Sequence, residues 1–89
     1  MVLPESAAYV LEKLENAGFE AYVVGGCVRD ALLGLEPKDY DVCTNALPEQ
    51  TETAFAGERV IETGLIHGTV TVLIGGQPFE VTTYRVDGD

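Results

Sequence analysis

Positive charge is scarce in this chain. Lys and Arg number 5 against 15 Asp and Glu, which leaves a net charge of −10 over 89 residues. Neutralising a nucleic-acid backbone takes clustered cations, so the composition argues against a nucleic-acid-binding surface in this segment. It does not argue against a divalent-metal site, which takes carboxylates. Cysteine is scarce as well. Cys27 and Cys43 are too few for a disulfide framework or a complete zinc site. Both lie in apolar segments and read as reduced, packed thiols, which suits a reducing compartment. The sequence also lacks an 18-residue apolar span, and its N-terminus lacks a basic stretch followed by an apolar run. The expectation is a soluble cytoplasmic protein with no membrane partner.

What is present suffices for one small domain. Hydrophobic residues make up 46% of the chain, enough to fold, although a chain this short buries only roughly 60–65% of its unfolded surface. "LPESAAYVLEKLENAGF" predicts a helix, with Pro4 in its first turn and Ala7, Val10, Leu11, Leu14 and Ala17 along one face. Gly18 is placed to end it. Glu20 to Val24 reads as a strand stopped by Gly25-Gly26, and Cys27 to Leu33 as a short helix closed by Gly34. Tyr40 to Thr44 reads as a second strand. Leu47 to Gly57 reads as a further helix with Pro48 at its first position and acids in its first turn. Arg59 to Thr63, Thr69 to Ile74 and Phe79 to Arg85 read as strands, the last two joined as a hairpin through "GGQP". The sum is an α+β fold: a small mixed sheet with helices on one face, and Asp39, Asp41 and part of the last strand on the other.

That uncovered face carries the chemistry. Residues i and i+2 of a strand point the same way, so Asp39 and Asp41 project together while Tyr40 and Val42 face the opposite side. Two ionised carboxylates this close repel. A divalent cation between them relieves this, and hard oxygen ligands favour Mg²⁺ or Mn²⁺ over zinc. A solvated Asp-x-Asp at a strand start is the alternative. Gly25 and Gly26 stand between a strand and a helix, where glycine lets the backbone approach an anion, or simply forms a tight turn. Arg29 could reach the same anion with its planar fork, or form a surface ion pair with Asp30. Taken together, a strand, a glycine turn, an arginine and a following Asp-x-Asp set triphosphate binding beside metal binding, as phosphoryl transfer requires. Glu80 is the candidate third carboxylate, because a bare charge among β-formers is unusual. A gatekeeper charge on an edge strand is its other reading. His67 belongs to a turn, and Lys38 is either a phosphate contact or a loop cation.

The stretch "VVGGCVRDALLGLEPKDYDVCTNALPEQ" carries the pattern G-G-x-V-R-D-x-L-L-G followed by K-D-x-D-[hydrophobic]-x-T-x-A-x-P. It resembles the head domain of the bacterial tRNA nucleotidyltransferases (CCA-adding enzymes) and poly(A) polymerases, in the class II branch of the polymerase-β-like nucleotidyltransferase superfamily. "HGTVTV" and "FEVTTYR" are similar to the family's next strands. The resemblance implies that Asp39 and Asp41 bind the catalytic Mg²⁺ ions and that Gly26 and Arg29 contact the nucleotide, with Gly25 shaping the turn. Glu80 would be a supporting carboxylate. It implies attack by an RNA 3′-OH on the α-phosphate of CTP or ATP, with a tRNA 3′ end as the partner. The family continues with neck, body and tail regions that select the base and hold tRNA. Residues 1–89 are therefore expected to be the head alone, and inactive alone.

Rival readings remain open at this point. A dinucleotide-binding βαβ unit also has a strand, a glycine turn and a later acid, but "GGCVRD" is not G-x-G-x-x-G and a hairpin does not suit a βαβ repeat. A poly(A) polymerase head is a second possibility. A nucleotide-binding module without catalytic activity is the third.

Overall fold

The computed structural model describes residues 5–24, 33 and 40–84. Helix α1 (Glu5–Asn16) leads into strand β1 (Ala21–Val24), and strand β2 (Tyr40–Thr44) into helix α2 (Pro48–Ala54). Strand β3 (Arg59–Gly64), a 3₁₀ turn at Leu65–His67, and strands β4 (Thr69–Ile74) and β5 (Gln77–Thr83) complete the order. Apart from Leu33, an exposed turn residue, the expected helix over Cys27 to Leu33 falls outside the described residues, as do Pro4 and Arg85.

The strands form one mixed sheet in the order β1-β2-β5-β4-β3. β2 and β5 run parallel at its centre, and the other neighbours are antiparallel. The core lies between one face of this sheet and the two helices. Ala7, Val10 and Leu14 are fully buried along α1, as the helical spacing predicts. Ala17 is exposed in the turn beyond the helix, a departure from the expected stripe. Gly18 has φ +95°. Its N–H donates to Glu15 O at 3.0 Å and that of Phe19 to Leu14 O at 3.0 Å, the paired bonds of a Schellman cap.

Facing the helices, β2 contributes Tyr40 and Val42, β4 contributes Val70 and Val72, and β5 contributes Phe79 and Val81. Tyr40 and Phe79 are register partners whose rings stack at 5.2 Å between centroids, worth roughly 0.5–1.5 kcal/mol beyond area burial. Phe55, at the end of α2, is fully buried against this set. The helix itself is shorter than Leu47 to Gly57. It starts with Pro48 at its first position, and the Leu47 N–H donates to Gln50 Oε1 at 2.8 Å. After Ala54 the chain turns, passing through Gly57 at φ +98°.

The β4–β5 hairpin closes through Gly75 and Gly76 alone, at φ +58° and +83°. Two successive positive φ values define a type I′ turn, which matches strand twist. Gln77 and Pro78 therefore belong to β5 and not to the loop. Proline is tolerated there for a geometric reason. Ile74 and Gln77 close the hairpin, so Pro78 lies in the next, non-hydrogen-bonded pair with Leu73, and its missing N–H would point away from β4. On that side, pairing with β2 begins only at Phe79.

A polar knot ties the other end of the sheet. The fully buried Thr44 donates its hydroxyl to Glu20 O and accepts from the Ala46 N–H at 3.2 Å. Asn45 Oδ1 accepts from the Glu20 N–H at 2.8 Å, so β1 begins at Ala21 and not at Glu20. Thr83 Oγ1 donates to Ala46 O at 2.6 Å. Thr44→Val preserves shape but leaves the buried Ala46 N–H without its partner. We expect a loss of about 1–3 kcal/mol, read as a lower urea midpoint at unchanged slope. An unchanged midpoint would remove Thr44 as the tie.

Candidate functional site

The strand alternation that buries Tyr40 and Val42 turns Asp41 to the face of the sheet opposite α1 and α2. On that face the register aligns Val24 with Asp41, Asp41 with Glu80, and Glu80 with Thr71. Asp41 and Glu80 are thus direct neighbours across the parallel pair, on strands spaced about 4.8 Å apart. Among the described residues β5 is the third of five strands. The edge-gatekeeper reading of Glu80 is therefore excluded: a charge in the sheet's centre protects no edge.

Asp41 is half-buried and Glu80 exposed, while Thr71 beside Glu80 is only 8% exposed. Two hydroxyl pairs floor the face on its β3–β4–β5 side. Thr63 and Thr71 lie 2.8 Å apart at Oγ1, as do Thr69 and Thr82. A second row, two residues from the carboxylates, aligns Tyr22 with Cys43 and Cys43 with Thr82. Cys43 is a free, half-buried thiol, as its apolar context predicts. Beyond this row, the Tyr84 hydroxyl donates to Glu20 Oε1 at 2.7 Å. That bond is the main reason its phenol is pushed up to about 12, with desolvation and Glu20's charge adding to it.

Of the residues singled out in the sequence, the structure brings Asp41 and Glu80 together. Asp39, Gly25, Gly26 and Arg29 lie outside the described residues. His67 is exposed at the end of the 3₁₀ turn. The threonine hydroxyls and Tyr22 went unnoticed in the sequence, although their odd-even spacing from Glu80 and Val24 was the available signal. Among the described residues no three His, Cys, Asp or Glu side chains converge as a metal site. Asp41 and Glu80 nonetheless offer two hard oxygen donors in register on an accessible face, a set that fits Mg²⁺ or Mn²⁺. No helix among the described residues is long and apolar enough to cross a membrane.

A second concavity, of about 530 Å³, lies between α2 and the edge strand β3 and includes Glu52, Glu58, Arg59 and Glu62. Glu58 there accepts the Tyr9 hydroxyl at 2.6 Å. A hydrogen bond with Glu62 is the main reason the Glu52 carboxyl is held above the usual carboxylate range, followed by desolvation and the charges of Glu62 and Glu49.

Residues 21–89 match the poly A polymerase head domain. The chain belongs to that family. A CCA-adding enzyme of Lactobacillus delbrueckii subsp. bulgaricus is 58% identical to this head domain over 78 residues, covering 88% of this chain and 19% of the relative. One from Streptococcus suis is 47% identical over 83 residues, covering 93% and 20%. The crystal structure of the Bacillus stearothermophilus CCA-adding enzyme in complex with CTP superposes with a TM-score of 0.84 at 42% identity, covering 98% of this chain and 22% of that one. A tRNA nucleotidyltransferase complexed with a primer tRNA and an incoming ATP analog gives a TM-score of 0.69 at 33% identity, covering 85% and 23%. The head domain described here thus spans about a fifth of the relatives it matches.

The acidic groove yields a pH test. A carboxyl raised in the folded state contributes stability that is present below its unfolded value and lost as pH rises through the folded one. Glu62→Gln removes the repulsion that ionised Glu52 meets at neutral pH. The variant is expected to melt higher than the parent at pH 7, with the advantage vanishing near pH 4 and below. An advantage independent of pH would show that the two carboxyls do not share a proton.

Proposed function

We propose that this chain is the catalytic head of an RNA 3′-terminal nucleotidyltransferase, which transfers CMP or AMP from CTP or ATP to a tRNA 3′ end. The observation that carries the reading is the Asp41–Glu80 pair, in register on the open face of a head domain of this family. Relatives named CCA-adding enzyme favour the tRNA end over a poly(A) tail as the acceptor. The family's own name keeps a poly(A) polymerase as the second reading.

In this reading Asp39 and Asp41 hold divalent metal, with Glu80 as the supporting carboxylate. Bound Mg²⁺ would offset charge on the α-phosphate and lower the pKa of the attacking hydroxyl. The chain's own residues do the rest. Gly25 and Gly26 let backbone N–H groups approach the triphosphate, and Arg29 contacts it as a fixed fork. Ladder hydrogen bonds hold the backbones that carry Asp41 and Glu80 in register, which fixes where the two side chains start. The central position of β5 supports a chemical role for Glu80, since neither edge protection nor solubility requires a charge there. Residues 1–89 would be the head, with base selection and RNA holding supplied by the neck, body and tail regions of the whole enzyme. The setting would be the cytoplasm, where tRNA ends are processed.

Two outcomes test this. Mg²⁺ or Mn²⁺ should stabilise the native state through linkage, by about 1.4 kcal/mol at ten times Kd, read as a higher melting temperature. Asp41→Asn should abolish most of that response and Glu80→Gln part of it. A full response in Asp41→Asn would locate the metal elsewhere.

The 89 residues alone should not extend tRNA lacking its 3′ end when given labelled CTP, ATP and Mg²⁺. Their charge of −10 repels the RNA backbone. Positioning lost with an RNA-holding body is worth an effective molarity on the order of 10⁵ M or more. Robust C-before-A addition by this chain would mean that selection resides in the head.

A further inference from the structure

We propose that Thr71, braced by Thr63, is a positioning residue that aims the Glu80 carboxylate at divalent metal, an inference that rests on the metal-binding reading above. Register fixes where Glu80 starts but not where its carboxylate ends. Glutamate has one more rotatable side-chain bond than aspartate, and Glu80 is exposed. A carboxylate that ligates metal is held in its orientation by a hydrogen bond to its other oxygen. The register row through the site runs Val24, Asp41, Glu80, Thr71. The Val24 side chain has no polar atom, and ionised carboxylates only accept. Among the described residues, Thr71 is thus the one side-chain donor in that row, on the side of Glu80 away from Asp41.

The alternation of the β4–β5 ladder sets the reach. Ile74 and Gln77 close the hairpin as a hydrogen-bonded pair, so Leu73–Pro78, Thr71–Glu80 and Thr69–Thr82 are non-hydrogen-bonded pairs. At such pairs the Cα atoms approach to about 4.5 Å and the side chains stand closest. Thr69 and Thr82 show the consequence, with their hydroxyls 2.8 Å apart. Glu80 meets Thr71 in the same kind of pair and has a longer arm. One carboxylate oxygen takes the Thr71 proton, and the other is left facing Asp41 across the parallel pair.

Thr63 is what makes Thr71 a directed donor. Thr71 is buried and branched at Cβ, so its side chain has little rotational freedom. Its hydroxyl lies 2.8 Å from that of Thr63. A hydroxyl has one proton and two acceptor positions, so with Thr63 donating, Thr71 keeps its own proton for Glu80. The three groups then polarise one another in one direction, toward the carboxylate. The β3–β4 register shifts between Ile61 and Gly64, which brackets Thr63. Bulges of this kind are over-represented beside active sites, where they re-aim a side chain.

The test is a Mn²⁺ titration of the 89-residue chain, with free ion read by electron paramagnetic resonance. Thr71→Val keeps the shape and removes the hydroxyl, and should weaken Mn²⁺ about ten-fold. Thr71→Ser keeps the hydroxyl and should bind close to the parent. Thr63→Val should weaken Mn²⁺ less than Thr71→Val does. In a Glu80→Gln background, Thr71→Val should cost nothing further, because the group it positions is gone. Urea midpoints without metal check that each variant folds. If Asp41→Asn and Glu80→Gln weaken Mn²⁺ but Thr71→Val does not, the inference falls and the metal-binding reading stands. An undiminished loss from Thr71→Val in the Glu80→Gln background also overturns it, since Thr71 would then act through some other group. If neither carboxylate variant changes Mn²⁺ binding, the inference and the metal-binding reading fall together.

Discussion

The parallel pairing of β2 with β5 is the constraint on which the rest depends. Its register sets Tyr40 against Phe79 and Val42 against Val81 on the helix side, and Asp41 against Glu80 on the open side. Strand periodicity is two, so a slip of either strand by one residue would send its carboxylate into the core and its aromatic ring into solvent. Features at both ends oppose such a slip. The Tyr40–Phe79 stack fixes one end. At the other, the Tyr84 N–H donates to Thr44 O at 3.0 Å and Thr83 reaches Ala46 O. The site needs no dedicated scaffold, because the interactions that stabilise the core also position the carboxylates.

The same economy is visible in the motif that carries the family resemblance. Its second half mixes two kinds of residue. Asp41 belongs to the proposed site, while Thr44, Ala46 and Pro48 are architectural: a buried tie, a fully buried small residue and a helix start. A substitution at Thr44 would disturb the site without touching any ligand, by loosening the strand that presents Asp41. Motif specificity here reflects two independent demands on one short stretch of chain.

Local features were legible in the sequence. The bounds of β2 and β4, the buried stripe of α1, the ending at Gly18 and the hairpin at Gly75-Gly76 all follow from propensity, periodicity and glycine's access to positive φ. So did the division of β2 into a buried and an open side. Lateral order was not legible, because periodicity assigns a side chain to a face but not to a neighbour. Glu80 could therefore be read as an edge charge until β5 proved central. Gln77 and Pro78 looked like loop, since proline's rule against central strands holds only where its N–H would be needed. The Glu52–Glu62 contact joins a helix to a strand that no pattern links. Asp39, Gly25, Gly26 and Arg29 remain assigned from sequence, outside the described residues.

The connection between β2 and β5 also sets an order of assembly. The β4–β5 hairpin closes through two glycines and needs only local contacts, the kind of event that takes on the order of microseconds. Asp41 meets Glu80 only after the chain has traversed α2, β3 and β4 and a parallel pair has formed across them, a non-local and therefore slow step. The β4–β5 hairpin alone cannot hold the carboxylate pair, because Asp41 lies on β2. A cation held by that pair would act on the escape from the native state, slowing unfolding while leaving the rate of folding almost untouched.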